Sequence, residues 1–357
     1  MPLIDRKSNI KVNMNTNILK KQIERSSNIE LLRIISMFLV LIIHYVPHRE
    51  NVTWENFCSF PLESSITLFL KSISFVCVNA FILISGYFSI KWKWKSFSNL
   101  IFQIAFWTIF SSLFTHIFFN KDISLNECFF NIYSNWFIRA YLCLYMFAPV
   151  LNAYIEKSSN KQLGIFLLIF YAVQTILGWM LQTAPEFHEG MSFVSLSGLY
   201  LIGAFIKRMK SSYFTFNKYC DLAIYFGGGL ILAIINVAAL KYNITSSPYG
   251  YLNPIVIVQT MYLFLFFTKI RIENNIINWI ASSSFAVYLF HYSYFTRDIF
   301  HHYCEIIEKS YKISLPYIIC YLIVIFIISV LVDKIRIVIF KQLSRINFKT
   351  NENPTRP

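Results

Sequence analysis

The sequence predicts an all-α fold, a polytopic transmembrane helical bundle of about ten spans with both termini cytoplasmic. Three observations lead there. The 357-residue chain is 56% hydrophobic and 18% aromatic, too apolar for an ordinary water-soluble domain. Apolar runs of about 18–24 residues, enough to cross a hydrocarbon core, recur along nearly its whole length. The basic excess, a formal net charge of +14, sits in short connections between those runs. A nucleic-acid binder would gather such charge into one stripe or arm. Topology explains the charge, and no nucleic-acid partner is expected.

In chain order, residues 1–28 are polar and rich in Asn and Lys. They contain no apolar core and no small-residue cleavage site, so they read as a retained cytoplasmic tail, not a signal peptide. A membrane domain follows over 29–340. Its spans fall at roughly 29–47, 65–90, 97–119, 132–151, 163–182, 192–207, 221–240, 251–268, 276–296 and 315–340. The stretch 341–357 is polar, and with Pro354 and Pro357 it reads as a frayed cytoplasmic tail.

Orientation comes from the connections. The N-terminal tail carries Arg6, Lys7, Lys11, Lys20, Lys21 and Arg25, and Lys91, Lys93 and Lys95 follow the second span. Lys207, Arg208, Lys210 and Lys218 follow the sixth, Lys269 and Arg271 the eighth, and Lys334, Arg336, Lys341, Arg345 and Lys349 the last. The alternate connections are acidic, with Glu50, Glu55 and Glu63 in one and Glu186 and Glu189 in another. The positive-inside rule then assigns the basic side, and both termini, to the cytoplasm. Trp54, Trp92, Trp94, Trp136 and Trp279 fall near span ends, as interfacial aromatics do. The richness in Lys, Asn, Ile and Phe points to an AT-rich bacterial genome, and so to a bacterial plasma membrane.

The seven cysteines are scattered without C-x-x-C or ligand spacing, so no metal is expected. Most lie in or beside apolar runs, where cysteine acts as a small hydrophobe. Cys58, Cys128 and Cys304 fall in connections assigned to the outside, which leaves a bridge among them open.

The residues able to carry chemistry begin in the first span. Arg33 and His44 are eleven positions apart, three helical turns plus roughly 20°, which puts both on one face about 16 Å apart along the axis. Ionisable groups inside a membrane helix usually face a bundle interior or a wet cavity. Each residue alone also fits a snorkelling or interfacial position. The second stretch ends in Ser85-Gly86-Tyr87, which fits either close helix packing or the approach of a ligand to backbone. Lys93 and Lys95 follow, as an anchor and topology signal or as an attractor of an anionic cofactor. Arg139 falls a turn inside the outer interface, and Tyr288 and His291 lie in the outer half of the ninth span.

Taken together, these stretches resemble the acyltransferase-3 family of integral membrane acyltransferases. Members carry an Arg-x10-His pattern in the first span, matched by Arg33 and His44. They carry Ser-Gly-Phe/Tyr at the end of the second span, matched by Ser85, Gly86 and Tyr87, and then a basic loop. A Trp-Phe/Tyr…Leu-Tyr…Pro stretch (Trp136 to Pro149) and a Tyr-Leu-x-His (Tyr288 to His291) complete the set, in order, within residues 28–340. Two features depart from the pattern. Lysines stand where many members have paired arginines, and Lys lacks the bidentate grip of Arg. No appended extracytoplasmic hydrolase-like domain is seen, so the membrane part is expected to carry the whole reaction.

The resemblance implies transfer of an acyl group, usually acetyl, from cytosolic acetyl-CoA to a hydroxyl. The expected acceptor is a cell-surface polysaccharide or its lipid-linked precursor. On this reading Arg33, with Ser85, Gly86, Lys93 and Lys95, holds the cofactor, whose arm lies along Met37 and Val40. His44 acts as general base on the acceptor hydroxyl, and an acetyl-histidine relay stays open. Arg139, His291 and Tyr288 position the acceptor or stabilise the oxyanion. Tyr45, Trp54 and Tyr292 are candidates for stacking on sugars. The competing reading is a transporter or flippase of a glycan precursor, which should show two related halves and interrupted helices; the sequence displays neither.

Overall fold

The computed structural model describes residues 26–45, 52–244, 249–310 and 315–351. Among them the secondary structure is helical, with no strand. The chain runs through α1 (Ser27–Tyr45), a short α2 (Trp54–Ser59), α3 (Pro61–Ser74), α4 (Val76–Phe88), α5 (Trp94–Phe119), α6 (Leu125–Ser134), α7 (Trp136–Lys157) and α8 (Asn160–Val173). After a π-helical turn over Gln174–Met180 come α9 (Phe193–Tyr213), α10 (Lys218–Lys241), α11 (Pro254–Lys269), α12 (Asn275–Ala281), α13 (Ser284–His291), α14 (Arg297–Ser310) and α15 (Leu315–Asn351).

Local chemistry sets many of these boundaries. The Asn135 side chain accepts from the Ile138 N–H to start α7, and Asn217 does the same from Cys220 for α10. Ser124 with Glu127, and Ser159 with Gln162, form capping boxes that open α6 and α8. Pro61 and Pro254 occupy first helical positions, where the missing N–H costs nothing. α5 ends on Asn120 in the left-handed region at φ 50°, which Asn tolerates better than most residues.

Among the described residues, seven helical stretches are long and apolar enough to cross a membrane: Ser27–Tyr45, Pro61–Phe88, Trp94–Phe119, Trp136–Lys157, Asn160–Met180, Lys218–Lys241 and Leu315–Ser344. The remaining three expected spans take other forms. α9 covers 21 residues but brings Lys207, Arg208 and Lys210 into its last turns. α11 is apolar but only 16 residues long. The stretch 276–296 is broken at Ser282–Ser283 into α12 and α13, so an interrupted helix is present where the sequence pattern had shown none. The Ser282-Ser283-Ser284 run supplies the reason, since serine side chains compete for backbone hydrogen bonds. Ser284 Oγ donates to the Ala281 carbonyl.

The C-terminal tail also differs from expectation. α15 runs on through the polar stretch to Asn351; neither Gly nor Pro occurs there before Pro354, so nothing local stops it. Residues 1–25, most of the expected N-terminal tail, and 352–357, the end of the C-terminal one, lie outside the described residues.

α1 sits at the centre, packed against α3, α4, α11, α12, α13 and α15. α4 lies between α1 and α9, and α9 reaches α7 and α8. The α4–α9 contact is intimate because of two glycines. A Cβ at Gly86 would fall 1.9 Å from the Tyr200 carbonyl oxygen, and one at Gly203 2.2 Å from that of Leu83. Small residues let membrane helices approach backbone to backbone. All seven cysteines are free.

Candidate active site

One cavity of about 240 Å³ follows the inward face of α1. Arg33, Met37, Val40 and His44 supply its α1 wall. Around them stand Val78, Phe81 and Ser85 of α4, Leu100 and Gln103 of α5, Trp136, Phe137 and Tyr141 of α7, and Tyr251. The α12–α13 break closes the remaining side with Ala281, Ser282, Ser284, Phe285 and Tyr288. The spacing 33, 37, 40, 44 is the i, i+4, i+7, i+11 stripe of one helix face.

At one end Arg33 is half-buried. Its nearest acidic partner is Glu30, Nε to Oε2 at 4.0 Å, beyond hydrogen-bonding range. Its guanidinium, on the cavity wall, is thus placed to hydrogen-bond an anion entering there. Ser85 lines the same cavity, with its hydroxyl donating to the Phe81 carbonyl at 2.9 Å.

At the other end His44 Nδ1 meets His291 Nε2 at 2.8 Å. His291 is buried in α13, and its Nδ1 lies 2.6 Å from the Val287 carbonyl oxygen. These two contacts settle the protons. A carbonyl only accepts, so His291 Nδ1 carries hydrogen and its Nε2 presents a lone pair. His44 Nδ1–H therefore donates to His291, and His44 Nε2 is left as the basic nitrogen. Tyr292 stacks on the His44 ring at 4.0 Å with an 11° interplanar angle, which fixes the ring plane. Tyr288 donates to Asn135 Oδ1 at 2.7 Å, so the residue that caps α7 also locks an aromatic of the cavity wall.

The structure thus brings Arg33, Ser85, His44 and Tyr288 to one cavity and sets His291 behind His44, off its wall. Other expected site residues lie elsewhere. Gly86 turns its open side to the Tyr200 backbone, which makes it a packing position. Lys93 and Lys95 are exposed at the start of α5, the helix that carries Leu100 and Gln103. Arg139 is exposed and lies over the Tyr133 ring at 5.1 Å. Of the aromatics considered for sugar stacking, Tyr292 is engaged with His44. Tyr45 is 2% exposed and donates to Glu308 at 2.8 Å.

Two groups went unread in the sequence. Gln103 is a cavity residue with no periodic partner to flag it. Asp333 and Arg336, buried in α15, form a pair behind Gln103. Arg336 had been counted among the cytoplasmic topology charges; it is instead 2% exposed.

A family model described as an acyltransferase domain matches residues 26–334. Searches of curated proteins and of solved structures each gave no match.

Proposed function

Since the chain belongs to the acyltransferase-3 family of membrane acyltransferases, we propose that it moves an acetyl group from cytosolic acetyl-CoA to a hydroxyl of a cell-surface polysaccharide or its lipid-linked precursor. The observation that carries this reading is the single cavity joining Arg33 to the free nitrogen of His44.

The chemistry needs an anion grip and a proton acceptor separated by the length of a thin arm. Arg33, at the cytoplasmic end of the cavity in the proposed orientation, holds a phosphate of the donor with its unused donors. The arm runs past Met37 and Val40, and the thioester carbonyl arrives near His44. His44 Nε2 takes the proton of the acceptor hydroxyl as its oxygen attacks that carbonyl. The C–S bond then breaks and the thiolate leaves as the thiol on receiving a proton. With its Nδ1–H held by His291, neutral His44 enters the step as the tautomer whose Nε2 accepts the proton, and the same contact stays with the imidazolium that forms. Lys93 and Lys95, at the start of the helix that carries Gln103, raise the local concentration of an anionic donor without touching the cavity.

Trp136, Tyr251, Phe285 and Tyr288 line the cavity and offer apolar ring faces to a sugar. A second reading, a transporter or flippase of a glycan precursor without acyl transfer, draws on the α12–α13 interruption, a feature of transporter helices. The test is a mass comparison of surface glycans from cells with and without the gene. An acetyl-sized mass difference supports the enzyme; glycans altered in amount but identical in mass support the carrier.

A further inference from the structure

The most heavily buried ion pair among the described residues serves neither proton transfer nor the anion grip. Asp333 and Arg336 are 0% and 2% exposed and sit one turn apart on α15. Arg336 Nε donates to Asp333 Oδ1 at 2.7 Å, and its second terminal nitrogen donates to Oδ2 at 3.0 Å. The remaining terminal nitrogen donates to Asn99 Oδ1 at 2.8 Å. Trp107 Nε1 donates to the same Asp333 Oδ1 at 3.1 Å, and Gln103 Nε2 donates to it at 3.2 Å. A membrane-embedded ion pair costs several kcal/mol to desolvate unless its hydrogen bonds are filled, and here three α5 side chains fill them.

The consequence lies on the cavity side. Asp333 Oδ1 already accepts from Arg336 and Trp107, so only the amino group of Gln103 can face it. The Gln103 amide cannot flip, and its carbonyl Oε1 is the end left over. That oxygen has no partner among the described residues, and Gln103 belongs to the wall of the cavity between Arg33 and His44. A fixed acceptor in the wall of that cavity recognises a donor N–H brought against it.

We propose that Gln103 Oε1 accepts a hydrogen bond from an amide N–H of the donor's arm, with Asp333 and Arg336 as the residues that hold it in that orientation. This rests on acetyl-CoA being the donor, whose pantetheine arm carries two secondary amides between phosphate and thioester. Gln103 then sets register: it fixes how far the arm penetrates once Arg33 has engaged the phosphate.

The experiment uses the full chain purified into lipid nanodiscs, with acetyl-CoA binding and steady-state turnover measured for wild type and Gln103→Met, which keeps the side-chain volume. Losing this bond is expected to raise KM about tenfold and leave kcat within about twofold. A matched measurement on both proteins uses acetyl-CoA with each pantetheine amide N-methylated in turn. One of the two should bind about tenfold more weakly, and Gln103→Met should no longer distinguish it from the parent donor. Wild-type binding indifferent to both methylations, or a Gln103→Met KM within twofold of wild type, overturns the assignment while acetyl transfer continues. Failure of wild type to bind or use acetyl-CoA at all overturns the donor reading, and this assignment with it.

Discussion

His44 and His291, 247 positions apart in the chain, meet with Nδ1 and Nε2 2.8 Å apart. The Val287 carbonyl behind His291 sets the direction of that bond. Two helices that are remote in sequence thus hold one imidazole in a single tautomer, its basic nitrogen free beside the cavity.

Loss of the second histidine should therefore act on chemistry and leave binding alone. His291→Ala is expected to lower kcat about 100-fold, within the span usual for a positioned general base, with KM for the donor changed less than about threefold. His291→Gln should recover part of the loss, because its amide oxygen can accept from His44 Nδ1–H. Steady-state kinetics on protein in nanodiscs read both; a rise in KM with kcat intact would point to acceptor binding instead.

Arg33 should show the opposite split. Removing a charge-assisted grip on phosphate in Arg33→Ala is expected to raise KM for acetyl-CoA by about 10- to 100-fold. Arg33→Lys should fall between, since a lysine keeps the charge and loses the fork. The penalty should shrink for an acetyl thioester of pantetheine that lacks the nucleotide and its phosphates.

Gly86 is predicted to matter through packing. A Cβ there meets the backbone of Tyr200, which cannot step aside as a flexible side chain could. Gly86→Leu should destabilise the folded protein by about 1–3 kcal/mol, seen as a lower midpoint of thermal unfolding. Activity per folded molecule should drop no further than the α4–α9 displacement requires. An unchanged midpoint with a raised KM would return Gly86 to the cofactor site.

The buried α15 pair should be non-additive. Arg336→Ala leaves Asp333 uncompensated and should cost about 3–5 kcal/mol. The double change Asp333→Asn with Arg336→Gln should cost less than that single change, because two neutral amides can satisfy one another. Unfolding in mild detergent with a gel-shift or fluorescence readout decides between the two.

How much of this was readable in advance depended on periodicity. Arg33, Met37, Val40 and His44 declare one helix face by spacing alone, and the structure gives that face one cavity. Ser85 and Tyr288 reach the same cavity from helices whose depth could be counted along the sequence. Gln103 could not be found that way, since a lone amide in an apolar run has no partner in spacing. Asp333 and Arg336 were hidden by their position near a basic end, where charges read as topology signals. The α12–α13 break was present as three consecutive serines, yet a hydropathy window averages such a run away. Arg139 and Lys93 show the converse: residue types suited to a site, placed on exposed surface by the packing of α7 and α5.

The most direct test offers radiolabelled acetyl-CoA to membranes that hold equal amounts of inserted wild-type or His44→Ala protein together with the native glycan acceptors. Label in the glycan fraction with wild type and none above background with His44→Ala is the predicted result. Equal labelling by the two proteins would contradict the account, because among the described residues His44 is the one histidine that lines the cavity.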